Sequence, residues 1–381
     1  MKPEHTSSSK NSGMSRMLFA LACFLAIAGL VYFFYVKKTP APASPSHANQ
    51  IPKLVIPEKG AYTGAYVDFG DAEDDVTLDA VEKFEHITGK KLAIVAFSSF
   101  WGQRSFPTRQ LEIVTDHDAI PLIYWSPWDI PYEQDHGPDA FSLHSILAGK
   151  WDAYIDAWAD SAKAYKRPML VAWGLEMNGV WFPWSGHFYG AGKPVLGQPG
   201  KFIGPEIYKK AYHYVIDRVR ARGVTNIQWV FHVNNYSYPQ DVWNLARQYY
   251  PGSDYVDWLA LSVYGKQYPA EPWVDFKDLL DYPYTEMAAL DPNKPIMLAE
   301  WGVGEFPLIA GDDKAQWIRE GFERMSTHYP RLKAAVFWHE RWQNPEGNYS
   351  NLRVNSSPES LKAYREGVAN PYWLDKPIWK Y

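Results

Sequence analysis

From residue 61 to residue 340 the chain repeats one alternation: a short apolar run, then a longer stretch whose apolar positions recur every three or four residues. The runs are 61–69 (AYTGAYVDF), 92–99 (LAIVAFSS), 120–126 (IPLIYWS), 169–176 (MLVAWGLE), 226–234 (NIQWVFHVN), 256–264 (VDWLALSVY), 295–301 (PIMLAEW) and 334–340 (AAVFWHE). Short runs rich in Val, Ile and aromatics predict strands covered on both faces. Between them, Trp151, Tyr154, Ile155, Trp158, Ala159 and Ala162 form one helical stripe, and a second helix is predicted from Pro205 to a stop at Gly223. Eight such units predict an α/β fold, a closed (β/α)8 TIM barrel, with functional groups at the C-terminal ends of its strands.

The pattern differs before the barrel. Residues 17–36 (MLFALACFLAIAGLVYFFYV) are an uncharged apolar run, long enough to cross a bilayer as a helix. The expected organisation is a cytoplasmic segment 1–16, a transmembrane signal anchor 17–36, a Pro/Ala-rich linker 37–52 and one globular domain 53–381. The competing reading of the apolar run is a cleaved signal peptide, with Ala41-Pro42-Ala43 as the processing site. Cys23, the single cysteine, falls inside the run and excludes an intrachain disulfide. An uncleaved anchor places the protein in the inner membrane as a single-pass chain, with its globular domain in the periplasm or outside the cell.

Charge narrows the function. The whole chain carries a formal net charge of −5, and residues 1–38 hold five Lys/Arg against one Asp/Glu, so the globular part is more acidic still. A nucleic-acid partner is not expected. The membrane, through the N-terminal helix, is.

The fourth strand ends at Glu176 and the seventh at Glu300. In a barrel of eight these strands face each other across the mouth, so two carboxylates meet over one cleft. Glycoside hydrolysis needs such a pair, one protonated and one charged. Aromatic residues make up 16% of the chain, with 18 Trp, and Trp101, Trp125, Trp128, Trp181, Trp184, Trp301 and Trp338 fall just past strand ends. Sugar rings stack on such platforms, which points to a polysaccharide cleft.

Other clusters are read more simply. DAEDD (71–75) has a metal-loop composition but is read as the acidic first turn of the following helix. GAGKP (190–194) lacks the spacing of a phosphate loop, and the histidines and DHD (116–118) lack zinc-ligand spacing. No cofactor and no metal are expected.

The stretch AWGLEMNGVWFPW (172–184), together with PIMLAEWG, SVYG and TNIQWVFHVN, resembles glycoside hydrolase family 26, retaining endo-β-glycanases on a (β/α)8 barrel. The likeness runs from about residue 60 to 373. It implies that Glu176 is the acid/base and Glu300 the nucleophile, that Tyr264 touches the nucleophile, and that Trp181, Trp184 and Asn234 belong to the substrate-binding set; Asn178, two residues past Glu176, and the strand-end rings Trp125, Trp301 and Trp338 are expected in the same set. The family's His before the acid/base is Leu175 here, its Arg three positions earlier is Ala172, and its strand-six Asp is Ser262. His339 and Glu340 end the eighth strand where less ionisable residues are expected. Glu340 either faces a sugar or pairs with Arg341.

The expectation is a retaining endo-β-glycanase cutting a β-mannan or mixed-linkage β-glucan type polysaccharide, tethered so as to trim an exported bacterial polysaccharide. The alternative is a catalytically weak or inactive glycan-binding protein of polysaccharide assembly, suggested by Ala172, Leu175 and Ser262.

Overall fold

The structure is a computed structural model that describes residues 51–129, 140–306 and 311–381. The N-terminal segment, the apolar run and all but the last two residues of the linker lie outside the described residues. Among the described residues, no helix is long and apolar enough to cross a membrane.

Eight parallel strands close on themselves: β1 (Ala61–Tyr66), β2 (Ile94–Phe100), β3 (Ile120–Ser126), β4 (Met169–Trp173), β5 (Ile227–Asn234), β6 (Trp258–Tyr264), β7 (Ile296–Gly302) and β8 (Leu332–Trp338). Each pairs with the next, and β1 pairs with β8 from Tyr62↔Ala334 to Tyr66↔Trp338, which shuts the barrel. The strands are nearly all buried on both faces, as their continuous apolar character requires. The helices that follow them in order are α1 (Leu78–Thr88), α2 (Thr108–Asp116), α3 (Asp152–Tyr165), α4 (Ile203–Ala221), α5 (Ala246–Tyr249), α6 (Phe276–Leu290), α7 (Lys314–Thr327) and α8 (Pro358–Val368).

The helical stripe is α3, which buries Ile155, Trp158, Ala159 and Ala162 against the sheet. The second helix, α4, starts two residues before Pro205, because the unbonded first-turn N–H positions tolerate proline beyond the first helical residue. DAEDD is not a helix turn: α1 begins only at Leu78, where the Thr77 hydroxyl accepts from the Ala80 N–H. The acidic run instead forms the β1–α1 loop, and Glu73, at φ +52°, turns into the barrel mouth.

At the N-terminal face of the barrel, Lys53–Leu54 pairs antiparallel with Trp379–Lys380, and the Tyr62 hydroxyl bonds both flanks by donating to the Val55 carbonyl and accepting from the Ile378 N–H. Near the mouth, the Glu305 carboxylate, just past β7, gathers the hydroxyls of Ser356, Ser357 and Ser360 at the start of α8. Gly367 in α8 lies flat on Phe322 of α7, where an added Cβ would come within 2.1 Å of the ring. Gly367→Ala is therefore expected to lower stability by about 1–3 kcal/mol through overpacking, measured as a shift of the urea midpoint with unchanged slope.

Candidate active site

Two backbone irregularities aim the two glutamates. After β4 the chain leaves the extended region at Gly174 (φ +58°) and again at Glu176 (φ +51°). A left-handed backbone at a non-glycine residue costs about 1–2 kcal/mol and persists only where the surroundings impose it. Here the Glu176 N–H donates to the carbonyl of His232 in β5 at 2.8 Å, which holds the turn over the barrel mouth. On β7 the pairing register slips, so that Leu261↔Leu298 is followed by Ser262↔Glu300. The extra residue, Ala299, is a bulge that re-aims the next side chain. Its carbonyl accepts the Tyr124 hydroxyl of β3 at 2.7 Å across the barrel.

The result is a compact cluster. One ligand-type atom each from Glu176, His232 and Glu300 lies within 4.8 Å of the others, and all three residues are buried. Trp181 donates its indole N–H to Glu176 Oε2 at 2.7 Å, and Tyr264 donates its hydroxyl to Glu300 Oε2 at 2.8 Å. Ser262 also bonds Glu176, and it sits 2.7 Å from His232 Nε2. The hydroxyl of Ser262 thus lies between the His232 imidazole and the Glu176 carboxyl, and a neutral chain His232–Ser262–Glu176 runs under the pair. Burial holds the His232 pKa down to about 3. The 4.0 Å approach of His232 to Glu300 is thus a dipolar contact, not an ion pair.

Burial raises the pKa of Glu176, with Ser262 and Trp181 opposing, and raises that of Glu300 further because Glu176 repels its charge, with the Tyr264 hydroxyl opposing. Two buried carboxylates this close titrate as a pair, and their mutual repulsion favours the state that holds one proton between them. Glu176, His232 and Glu300 could also offer one atom each to a cation, but Oε2 of both carboxylates already accepts a fixed donor. A protonated acid beside a charged carboxylate can protonate one face of a bond while attacking the other.

The remaining sequence-predicted residues divide. Trp181 is half-buried, folded over Gly179, where a Cβ would come within 2.4 Å of its ring. Trp338 stacks on Tyr66 at 4.1 Å and keeps 7% of its surface exposed. Asn178 and Asn234 do come together, but with each other: the Asn178 amide donates to the Asn234 carbonyl and accepts its N–H, so it ties the β4 and β5 loops and has no free group for a sugar.

Trp125, Trp184 and Trp301 are corrections. The first stacks on Trp158 of α3 at 4.0 Å and the third on Trp317 of α7 at 5.9 Å. Side chains alternate along a strand, so with Tyr124 and Glu300 inward, Trp125 and Trp301 must face the helices. Trp184 is spent on Phe182 and the Leu175 carbonyl. At 0%, 1% and 1% exposure, these three rings offer no face to a ligand. Trp101 and Trp128 are buried as well. Of the departures, Ala172 is buried within β4 and Leu175 gives its carbonyl to Trp184, whereas Ser262 joins the neutral chain under the glutamates.

Sequence reasoning missed Glu73 and His232. Thr77 was the readable cap signal that would have released DAEDD from the helix. His232, one polar residue inside an apolar strand two positions before Asn234, carried the inward-face signal. Glu73 accepts the Ser98 hydroxyl, and burial followed by the charge of Glu340 pushes its pKa up to about 8. A carboxyl raised on folding stabilises the fold below its unfolded value, and that contribution is lost as pH climbs from 4.5 through about 8. Glu73→Gln is expected to be more stable than wild type at pH 8 and to flatten the fall in stability between pH 5 and 8, read by urea titration across that range.

Comparisons with known proteins place the sequence and the fold. Residues 111–317 match the family model described as glycosyl hydrolase family 26. Endoglucanase H of Acetivibrio thermocellus is 31% identical over 330 residues, covering 84% of this chain and 32% of that protein. A mannan endo-1,4-beta-mannosidase of Bacillus subtilis is 24% identical over 248 residues, covering 64% of this chain and 58% of the other. The chain thus spans between a third and three-fifths of the length of these curated relatives. The catalytic domain of an endo-beta-1,4-mannanase from Bacillus sp. JAMB-750 superposes with a TM-score of 0.60 at 18% identity, covering 83% and 87% of the two chains, which supports the fold. With the model matched over more than half the chain, this protein belongs to glycosyl hydrolase family 26.

Proposed function

We propose that the domain is a retaining endo-β-glycanase in which Glu176 is the acid/base and Glu300 the nucleophile. The observation that carries this reading is the approach of the two carboxylates to within 4.8 Å at the mouth, from β4 and β7. Retaining enzymes hold the pair at about 5–5.5 Å, whereas inverting enzymes leave room for a water between them. In the first step the Glu300 carboxylate attacks the anomeric carbon, the glycosidic C–O bond breaks, and the leaving oxygen takes the proton of Glu176. In the second, Glu176 takes a proton from water, whose oxygen displaces Glu300 from the sugar. The Tyr264 hydroxyl favours the charge on Glu300, and the shared proton is required on Glu176 when substrate is bound.

The substrate is a neutral β-linked polysaccharide of the β-glucan or β-mannan type. The glucan side is favoured by Endoglucanase H, at 31% identity over most of the chain. The apolar run 17–36 and the Pro/Ala-rich stretch behind it support a tethered enzyme acting on a polysaccharide outside the cytoplasm, trimming what the cell exports.

Incubating the full chain with mixed-linkage β-glucan, β-mannan and β-xylan is expected to release reducing ends from at least one. Glu300→Ala is expected to abolish release, and Glu176→Ala to slow it by roughly 10²–10⁴-fold. Tight glycan binding that survives loss of both glutamates, without cleavage by wild type, overturns the catalytic reading. The tether is checked separately by membrane fractionation: the protein is expected in the membrane fraction, and a soluble product with a new N-terminus near Ser44 removes the trimming role.

A further inference from the structure

Glu340, just past β8, is a half-buried carboxylate, and among the described residues no side chain of opposite charge forms an ion pair with it. Arg341, the partner offered by sequence, lies over the Tyr349 ring at 3.5 Å instead. His339 is also spent elsewhere: its Nδ1 accepts the Val354 N–H, and its ring meets Phe84 edge-on. The neighbours of Glu340 are mostly like-charged, namely Asp68, Asp71 and Glu73, and Arg353 is already paired with Asp68 at 2.5 Å. Burial and these charges both oppose a carboxylate at this position. A group kept where its surroundings disfavour it calls for a specific use.

The contact that Glu340 does make is with Trp338. Its Oε2 accepts the indole N–H at 2.6 Å from two residues down the chain. The backbone of Glu340 is fixed for this purpose, because the His339 N–H donates to the Tyr66 carbonyl and the Glu340 carbonyl accepts the Leu352 N–H. The indole so held lies flat on Tyr66 at 4.1 Å and meets the edge of Tyr264 at 6.4 Å and 83°. Tyr264 in turn donates to Glu300. One continuous set of contacts therefore runs Glu340–Trp338–Tyr264–Glu300. Without an acceptor on Nε1, the indole could turn over between the two tyrosines and present a different edge to the cleft.

We propose that Glu340 is a positioning residue of the sugar cleft, locking the Trp338 indole between Tyr66 and Tyr264 in the pose that receives a sugar ring beside Glu300. This rests on the glycanase reading above. The carboxylate acts through the tryptophan and touches no substrate, so its removal weakens binding of the sugar and leaves the chemistry of the glutamate pair in place.

The test compares the full-length wild type with Glu340→Ala, Glu340→Gln, Trp338→Phe and the double variant Trp338→Phe/Glu340→Ala. Each is assayed for kcat and KM on mixed-linkage β-glucan and for quenching of tryptophan fluorescence by a mixed-linkage tetrasaccharide. Glu340→Ala is expected to raise KM about tenfold, the effect of stranding one buried donor, with kcat changed by less than about threefold. Glu340→Gln keeps a carbonyl acceptor for the indole and is expected to restore KM to within about twofold of wild type. In the Trp338→Phe background, which has no N–H to hold, Glu340→Ala is expected to add less than about twofold.

An unchanged KM in Glu340→Ala overturns the proposal, as does the same rise in Glu340→Gln or an undiminished effect in the Trp338→Phe background. If Glu340→Ala fails to fold, Glu340→Leu, which keeps the bulk and offers the indole no acceptor, takes its place with the same expected rise in KM, and an unchanged KM there overturns the proposal. If wild type binds the tetrasaccharide without cleaving any glycan, the glycanase reading fails, while the same ratios in dissociation constant still test Glu340. If wild type does not bind it at all, the proposal fails with the reading it rests on.

Discussion

Two carboxyl groups within 4.8 Å in a buried mouth are the constraint around which the rest of the barrel is arranged. Burial and mutual repulsion both oppose ionising the two carboxyls together, so the site favours holding a proton and surrounds the pair with neutral hydrogen-bond donors. The donors are Trp181 and Ser262 on one glutamate and Tyr264 on the other. His232 beneath them is kept uncharged by burial, so it supports Ser262 without neutralising the pair. Ser262 fits this setting because an aspartate there would add a further negative charge beside both.

The scaffold bears the strain of that arrangement. A left-handed Glu176 and a bulge before Glu300 both depart from regular strand geometry; the first is held by a bond to the neighbouring β5 and the second by one from β3 across the barrel. The aromatic content has the same division of labour. Rings on the outward side of β3 and β7 pack α3 and α7 against the sheet, and rings on the inward side shape the mouth. Abundance of tryptophan is therefore first a packing property in this chain: of the seven expected rings only Trp181 is half-buried, and the other six are buried, Trp338 keeping 7% of its surface.

Acidity is spread more widely around the mouth than the two glutamates alone. Glu73 enters from the β1–α1 loop and Glu340 from beyond β8, and both are pushed toward neutral or higher pKa by burial and mutual repulsion. Such a cleft has little to offer an anionic sugar, which agrees with a neutral polysaccharide.

The sequence by itself determined the eight strands, their closure into a barrel, and the two glutamates at opposite strand ends, because apolar periodicity and strand order are local properties that a closed parallel sheet turns directly into position. It also carried the family likeness through residues 172–184 and 295–302. Tertiary structure decided the rest. Which tryptophans face a ligand depends on a bulge that resets the alternation, and the inward place of Glu73 depends on a helix starting later than its acidic run suggests. Whether Asn178 meets a sugar or its neighbour Asn234, and whether Glu340 pairs with Arg341 or holds Trp338, depends on contacts between strands far apart in the chain. Those contacts have no local signature, since the same side chain would serve either role and only the partner brought to it by the fold selects one.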